Sequence, residues 1–277
     1  MLKKKNYVSL NINNLKTIHT MTRQYIPADF KITDWQNLEP YFKNLLQMNV
    51  ESKKDYEKLL NDISELESVV SEDLAWRYIK MTCDTNNQAL ETAYLDFVSN
   101  IQPHIAPYED QLNQKINESA FKTELESNKA YFIYFRAIKN AIDLFRAENI
   151  PLQSEIQTLS QKYGSISGAM SVEIDGKVMT LQQASNILKE TDRDRRQMAY
   201  ETINERRLAS KEELDTLFND LIKLRHQVAL NAGFENFRDY MHQAMGRFDY
   251  SVNDCFNFHQ AIQEVVIPKL RSLELER

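Results

Sequence analysis

The 277-residue sequence contains little glycine, proline or cysteine. It has 5 glycines, 6 prolines and 2 cysteines. Because glycine and proline mark turns and helix ends, their scarcity over this length favours long helices joined by few loops. Cys83 and Cys255 lie far apart and form no CxxC motif. A reducing, cytoplasmic location therefore fits the two cysteines better than a secreted disulfide framework does.

The sequence also lacks an excess of basic residues and a long hydrophobic run. The formal net charge is −6 and the pI is about 5.5, so no overall positive field would attract nucleic acid or an anionic membrane. No stretch approaches the run of about 18 apolar residues that a membrane-spanning helix needs. The arginine-rich stretch 192–207 has acidic residues interleaved, which indicates a solvated helix face. We expect neither a nucleic-acid partner nor a membrane association.

The first 20 residues carry no convincing signal peptide. Three lysines open the chain, but asparagines interrupt the following stretch, so that no apolar h-region forms. Residues 1–20 are predicted to be a disordered leader, or the result of a start codon assigned too far upstream, with Met21 opening the protein.

Helix-start signals recur along the chain, and they predict an antiparallel helical array. At each, a serine or threonine is followed three residues later by an acidic residue or a glutamine, the pattern of a capping box. These predicted N-caps are Thr33, Ser52, Thr85, Thr180, Thr191, Ser210 and Ser251. Pro40 is predicted to start a new helix. Pro103 and Pro107 are predicted to break or kink one.

The pattern changes near residues 171–180, which predict a single β-hairpin. Two short segments with β-type alternation flank Asp175-Gly176, the dipeptide typical of a two-residue hairpin turn. All 5 glycines fall between Gly164 and Gly246, so sharp turns and special packing are expected there. The predicted fold class is therefore mainly α with one hairpin.

Catalytic motifs are missing. No two of the five histidines are four residues apart, which excludes a His-Glu-x-x-His zinc motif. Phosphate-binding and nucleotide-binding glycine motifs are absent, as is the Gly-x-Ser-x-Gly motif. Cys255 and His259 share one predicted helix face, but two ligands alone make an incomplete metal site. The sequence therefore identifies no catalytic residue and no metal ligand.

Three segments resemble a known family. They are YGSISGAMSVEIDGKVMTLQQA from Tyr163, LRHQVALNAGFENFRDYM from Leu224 and GRFDYSVNDCFNFH from Gly246. They resemble the oligoendopeptidase F-like zinc metallopeptidases, which are related to thimet oligopeptidase, and the resemblance extends from about Tyr25 to the last residue. It implies a mostly helical, two-lobed enzyme with a deep channel for short peptides. In that family a His-Glu-x-x-His motif and a later glutamate bind the zinc.

The resemblance also implies that the chain is incomplete. The zinc ligands of the family would lie beyond Arg277, so no zinc is expected on this chain alone. The apolar pattern of the last predicted helix is still running at Leu273 and Leu275. We expect residues 21–163 to form an N-terminal helical lobe. Residues 164–277 are expected to supply a hairpin and helices that begin an incomplete catalytic lobe, giving a truncated two-lobed oligopeptidase fold.

Three interpretations of function stay open. The first is an N-terminal fragment of a zinc-dependent oligoendopeptidase that hydrolyses short peptides but is inactive as it stands. The second is a non-catalytic helical protein that binds peptides or acts as a scaffold. The third is one half of a split enzyme, whose missing catalytic half is a separate chain.

Arg247 and Tyr250 are the candidate substrate-binding residues. An arginine can pair with a carboxylate, and a tyrosine can donate a hydrogen bond to a peptide carbonyl. The alternative is structural: Arg247 and Asp249 would tie the loop to the last helix, with Phe248 and Tyr250 in the core.

Overall fold

A computed structural model describes residues 23–85 and 87–276, and the predicted leader at 1–20 lies outside them. The described chain is helical except for one hairpin, as predicted. The first seven helices are α1 (Trp35–Gln47), α2 (Lys53–Cys83), α3 (Gln88–Asp96), α4 (Gln102–Glu118), α5 (Lys122–Glu126), α6 (Lys129–Leu144) and α7 (Asn149–Gly168). The strands β1 (Ser171–Ile174) and β2 (Lys177–Thr180) follow. The remaining helices are α8 (Leu181–Ala184), α9 (Arg193–Leu208), α10 (Lys211–Asn231), α11 (Phe237–Ala244), α12 (Val252–Ala261) and α13 (Ile267–Leu275).

The largest hydrophobic core lies among α1, α2, α4, α5 and α6. Helix α2 begins at the predicted N-cap, where the Ser52 side chain accepts a hydrogen bond from the Asp55 backbone N–H. Its residues Leu59, Ile63 and Leu66 recur at helical spacing and are fully buried. Phe135 of α6 completes this core. Phe132 of the same helix, by contrast, lies about half exposed.

Three of the predicted caps are one or two residues out of place. The N-caps of α1, α3 and α9 are Asp34, Asn87 and Asp192, not the threonines Thr33, Thr85 and Thr191. In each case an aspartate or asparagine lies just after the threonine, and these residues cap as well as threonine or better. The predicted caps at Thr180 and Ser251 are confirmed as full capping boxes. Ser210 precedes α10 without a side-chain capping bond.

The prediction that Pro40 starts a helix is wrong, because it lies inside α1. Because Pro40 has no N–H, the Gln36 carbonyl loses its helical hydrogen bond. Gln36 is exposed, so water can bond to this carbonyl instead. Leu38 and Phe42, on either side of the proline, are both buried and hold the helix together across it. Pro103 does not end its helix either. It follows a π-helical turn, Phe97–Ile101, in which the Gln102 N–H bonds the Phe97 carbonyl.

The predicted hairpin is confirmed. The strands pair antiparallel, with Ser171 opposite Thr180 and Ile174 opposite Lys177. Asp175 and Gly176 have φ of 55° and 71°, as a type I′ turn requires. The hairpin, α8 and α9 share a second small core. Arg195 of α9 pins the turn through an ion pair to Asp175 at 2.7 Å.

Helix α7 joins the first core to the helices that follow the hairpin. It extends to Gly168, so the expected domain boundary at 163 falls inside it. The Asn149 side chain is buried and donates to the Val228 carbonyl of α10 at 3.0 Å. Tyr240 of α11 packs in the same cluster as Val228, against the α7 residue Ile156. These contacts place α11, and the loop after it, next to α6.

Helices α12 and α13 lie on the surface. A π-helical turn, Ile262–Val266, connects them, and neither helix has a buried residue. Their exposed apolar side chains are Phe256, Phe258, Val265, Val266, Leu270, Leu273 and Leu275. The predicted apolar stripe is therefore present and has no covering element within 23–85 and 87–276. None of the described helices is both long and apolar enough to cross a membrane.

Candidate functional site

The loop between α11 and α12 carries both predicted substrate-binding residues. Gly246 begins its turn with φ of 64°, a backbone conformation that disfavours side chains with a β-carbon. Its N–H bonds the Gln243 carbonyl at 2.9 Å, and the Phe248 N–H bonds the Gly246 carbonyl at 3.0 Å. This turn directs residues 247–250 towards α6.

Arg136 of α6 is the residue that anchors the loop. Its guanidinium carbon lies 4.3 Å from the centre of the Phe248 ring and 6.0 Å from that of Phe132. Its Nη1 atom is 3.8 Å from a carboxylate oxygen of Asp249. A cation between two aromatic faces is held by about 0.5–1 kcal/mol per partly exposed contact. The Asn140 side chain, one turn further along α6, donates to the Gln243 carbonyl at 3.1 Å.

Arg247 lies in a pocket, whereas Tyr250 lies beside it. The pocket has a volume of about 360 Å³. Its walls are Arg136, Lys139, Asn140, Asp143, His242, Gln243, Arg247 and Phe248. The Tyr250 ring packs edge-on against His242, with ring centres 5.4 Å apart. Tyr250 is 46% exposed and Phe248 is 38% exposed.

The structural alternative for this loop is correct only in part. The loop is held in place by contacts of Phe248 and Asp249 with Arg136 of α6. Arg247 does not connect it to the last helix. Phe248 and Tyr250 do not belong to a core. The side chain of Arg247 makes no hydrogen bond or ion pair with any described residue. Its guanidinium is therefore available to a ligand.

A second cavity contains two carboxyl groups that sequence reasoning missed. It lies between α2, α4 and α7, has a volume of about 400 Å³ and includes Glu67 and Glu109 in its walls. Burial and the negative charge of Glu67 raise the pKa of Glu109 to about 7. Burial also raises the pKa of Glu67, although its side chain keeps access to water at the cavity mouth. The pKa of Tyr134 rises to about 12, through burial and then through Glu67.

The sequence contained only a weak signal for this pair. Glu67 follows Leu66, a residue of the buried stripe of α2, so it lies at the edge of an apolar face. Glu109 lies four residues after Ile105, which is buried in α4. Nothing in the spacing within either helix shows that the two faces meet across one cavity. The same holds for Arg136, which is far from Phe248 in sequence.

The residues present do not provide a zinc site. Within 23–85 and 87–276, no three histidine, cysteine, aspartate or glutamate side chains are grouped so that they could hold a metal ion. Cys255 and His259 lie one turn apart on α12, as predicted, and no third ligand joins them. No step of a zinc-dependent reaction can be assigned to these residues.

Comparison with known proteins finds a similar protein domain in the first part of the chain. Residues 27–145 match the Peptidase M3 N-terminal domain. No curated protein sequence matches the chain.

Solved structures share the fold over most of the chain. One is a Bacillus anthracis protein assigned as an oligoendopeptidase F, with 22% identity and a TM-score of 0.82 over 89% of this chain. A second protein assigned as an oligoendopeptidase F has 20% identity and a TM-score of 0.83 over 92%. PZ peptidase A, solved with an inhibitor, has 21% identity and a TM-score of 0.83 over 92%.

The chain spans 45–46% of the length of these three structures. At this level of identity the structural likeness concerns the fold, over 89–92% of this chain. The suspected resemblance to the oligoendopeptidase F-like family is thus confirmed for the N-terminal part by the domain match at 27–145, and the shared fold extends it in structure beyond that segment. Residues 27–145 of this chain are similar to the Peptidase M3 N-terminal domain.

Proposed function

We propose that this chain forms the N-terminal part of a zinc-dependent oligoendopeptidase that hydrolyses short peptides. The observation that carries the proposal is the fold match over 89–92% of the chain to structures of which it covers only 45–46%. One of those structures, PZ peptidase A, was solved with an inhibitor. The zinc ligands would come from a catalytic half that has no counterpart among the described residues.

The exposed face of α12 and α13 supports the same proposal. Large apolar side chains on a surface helix mark an interaction site, and this face includes Phe258 at 65% exposed and Leu273 at 61%. A catalytic half that packs on this face would bury it. That half can follow in the same polypeptide or arrive as a separate chain.

The division into lobes, the substrate site and the location belong to this proposal. Residues 21–163 would form the N-terminal lobe, and residues 164–277 would begin the catalytic lobe. Arg247 and Tyr250 would contact the peptide. Free Cys83 and Cys255 fit a reducing cytoplasm.

The deciding experiment starts from the coding DNA downstream of residue 277. We expect an open frame that encodes His-Glu-x-x-His, in the same gene or in a neighbouring one. The full-length or two-chain product should hold about one zinc per molecule and cleave a fluorescence-quenched short peptide. Residues 1–277 alone, as the control, should do neither.

The other outcomes separate the alternatives. A stop codon followed by unrelated sequence, with peptide binding but no cleavage, would favour the non-catalytic peptide-binding or scaffold protein. One tightly bound zinc on residues 1–277 alone would contradict the proposal, and Cys255 and His259 would then be the first ligands to replace.

A further inference from the structure

The pocket beside the α11–α12 loop has an excess of positive charge. Arg136, Lys139 and Arg247 line it. Asp143 is the only acidic residue among the described residues in its walls, and both its carboxylate oxygens accept hydrogen bonds from Lys139, at 3.0 and 2.9 Å. Asp249, which reaches Arg136 from outside the pocket at 3.8 Å, has an 89% exposed side chain. The two arginines therefore keep most of their charge uncompensated.

Several hydrogen-bonding atoms around this pocket have no partner. The Nε atom of Arg136 and the Nε2 atom of His242 are shielded from solvent, yet neither bonds to a described residue. The guanidinium of Arg247 is likewise unpaired among the described residues. Burying a donor without an acceptor is unfavourable. A ligand that accepts hydrogen bonds and carries negative charge would find a free partner in the exposed Arg247 guanidinium, and small shifts of the Arg136 and His242 side chains would bring their unpartnered atoms within its reach.

From this arrangement we infer that Arg136, His242 and Arg247 form a binding site for a carboxylate, namely the C-terminal carboxylate of a short peptide. A guanidinium presents its N–H groups in a planar fork that matches a carboxylate. The Phe248 ring supplies an apolar wall on which the last side chain of a peptide can pack. The choice of a peptide as the source of the carboxylate rests on the proposed function. The ability of the pocket to bind an anion does not depend on that function.

Binding is measurable on this chain without zinc or catalysis. Isothermal titration calorimetry would compare acetyl-Ala-Ala, which has a free carboxylate, with its C-terminal amide, and inorganic phosphate would be a third titrant. We expect the acid to bind and the amide to bind at least tenfold more weakly. Arg247→Ala should weaken binding of the acid at least tenfold, and Arg247→Lys should restore only part of it.

The matched control is Arg193→Ala, which removes an exposed arginine of α9 far along the chain from the pocket. It should leave acid binding unchanged. Equal binding of acid and amide, or an Arg247→Ala variant that folds and binds the acid like the original, would overturn the inference. Binding of phosphate without any response to the peptide acid would also overturn it. A full-length product without zinc or cleavage would refute the proposed function while leaving the calorimetry standing.

Discussion

The guanidinium of Arg136 stacks on the ring of Phe248, 4.3 Å from its centre, and so joins α6 to a loop that lies far along the chain. Because Arg136 also faces Phe132 and pairs with Asp249, one side chain holds three contacts at this junction. Arg136, on the α6 side of the junction, lies within the segment that matches the Peptidase M3 N-terminal domain.

We expect Arg136→Ala to loosen this loop and to destabilise the protein. Each cation–π contact contributes about 0.5–1 kcal/mol when partly exposed, so the free energy of unfolding should fall by about 1–2 kcal/mol. Urea unfolding measures this loss, and amide hydrogen exchange at residues 246–250 should accelerate. Arg193→Ala is the control for removing one positive charge. Unchanged exchange in the loop would show that Arg136 does not hold it.

The hairpin turn provides a second prediction. Gly176 has φ of 71°, and a β-carbon placed there would meet no atom within 4 Å, so any cost of substitution comes from the backbone conformation alone. Gly176→Val should therefore lower stability by about 1–2 kcal/mol. Gly176→Asn should cost much less, because asparagine tolerates positive φ. Equal melting temperatures for the two variants would contradict this explanation.

The hairpin could be predicted because its determinants are local. Asp175-Gly176 between two alternating segments is sufficient to define turn and register, and α10 likewise begins directly after the predicted cap position Ser210. The displaced caps show the limit of local rules. At Thr33 and Asp34, two neighbouring residues can both cap, and the sequence alone does not decide between them.

The two cavities could not be predicted from the sequence. Glu67 and Glu109 are unremarkable within their own helices, and only the packing of α2 against α4 brings their charges together. Arg247 was identified through the resemblance, but its neighbours Arg136 and His242 were not, because they reach the pocket from other helices. The sequence indicates which side chains could bind a carboxylate, but it does not show which residues from distant parts of the chain lie next to each other.

The Glu67–Glu109 pair makes stability depend on pH. The pKa of Glu109 rises from 4.5 to about 7 in the folded protein, so between these values the folded state binds more protons than the unfolded state. Stability should therefore fall as the pH rises from about 4.5 through about 7. No lysine, arginine or histidine lines this cavity among the described residues, so no cation in its walls offsets the repulsion.

We expect Glu109→Gln to stabilise the protein at pH 8 and to flatten this decline. One pKa unit corresponds to about 1.4 kcal/mol; allowing for water at the open cavity mouth, the gain should be on the order of 1–2 kcal/mol. Urea unfolding at pH 5 and pH 8 measures it. Glu118→Gln, which removes an exposed carboxylate from the same helix, should keep the original pH dependence. A loss of stability at pH 8 for Glu109→Gln would contradict the assigned repulsion.

The last prediction concerns Arg247 and Tyr250 in a full-length or two-chain enzyme. Arg247→Ala should raise KM for short peptides with a free C-terminus at least tenfold, with little change in kcat, because a charged hydrogen bond to the substrate terminus forms before the chemical step. Tyr250→Phe removes only the hydroxyl and leaves the ring on His242. It should raise KM about two- to tenfold if that hydroxyl donates to a peptide carbonyl, since a neutral hydrogen bond is worth about 0.5–1.5 kcal/mol.

The melting temperature distinguishes a residue that binds substrate from one that only stabilises the fold. Arg247 makes no side-chain contact with a described residue through a hydrogen bond or ion pair, so Arg247→Ala should melt like the original. Arg136→Ala, by contrast, should lower the melting temperature, and it should raise KM both because it removes a guanidinium of the carboxylate site and because it loosens the loop. If Arg247→Ala loses stability and its kinetics per folded molecule do not change, the residue is part of the scaffold. Because amidated peptides lack the terminal charge, their KM should respond to neither Arg247→Ala nor Arg247→Lys, which makes them the internal control for the carboxylate contact.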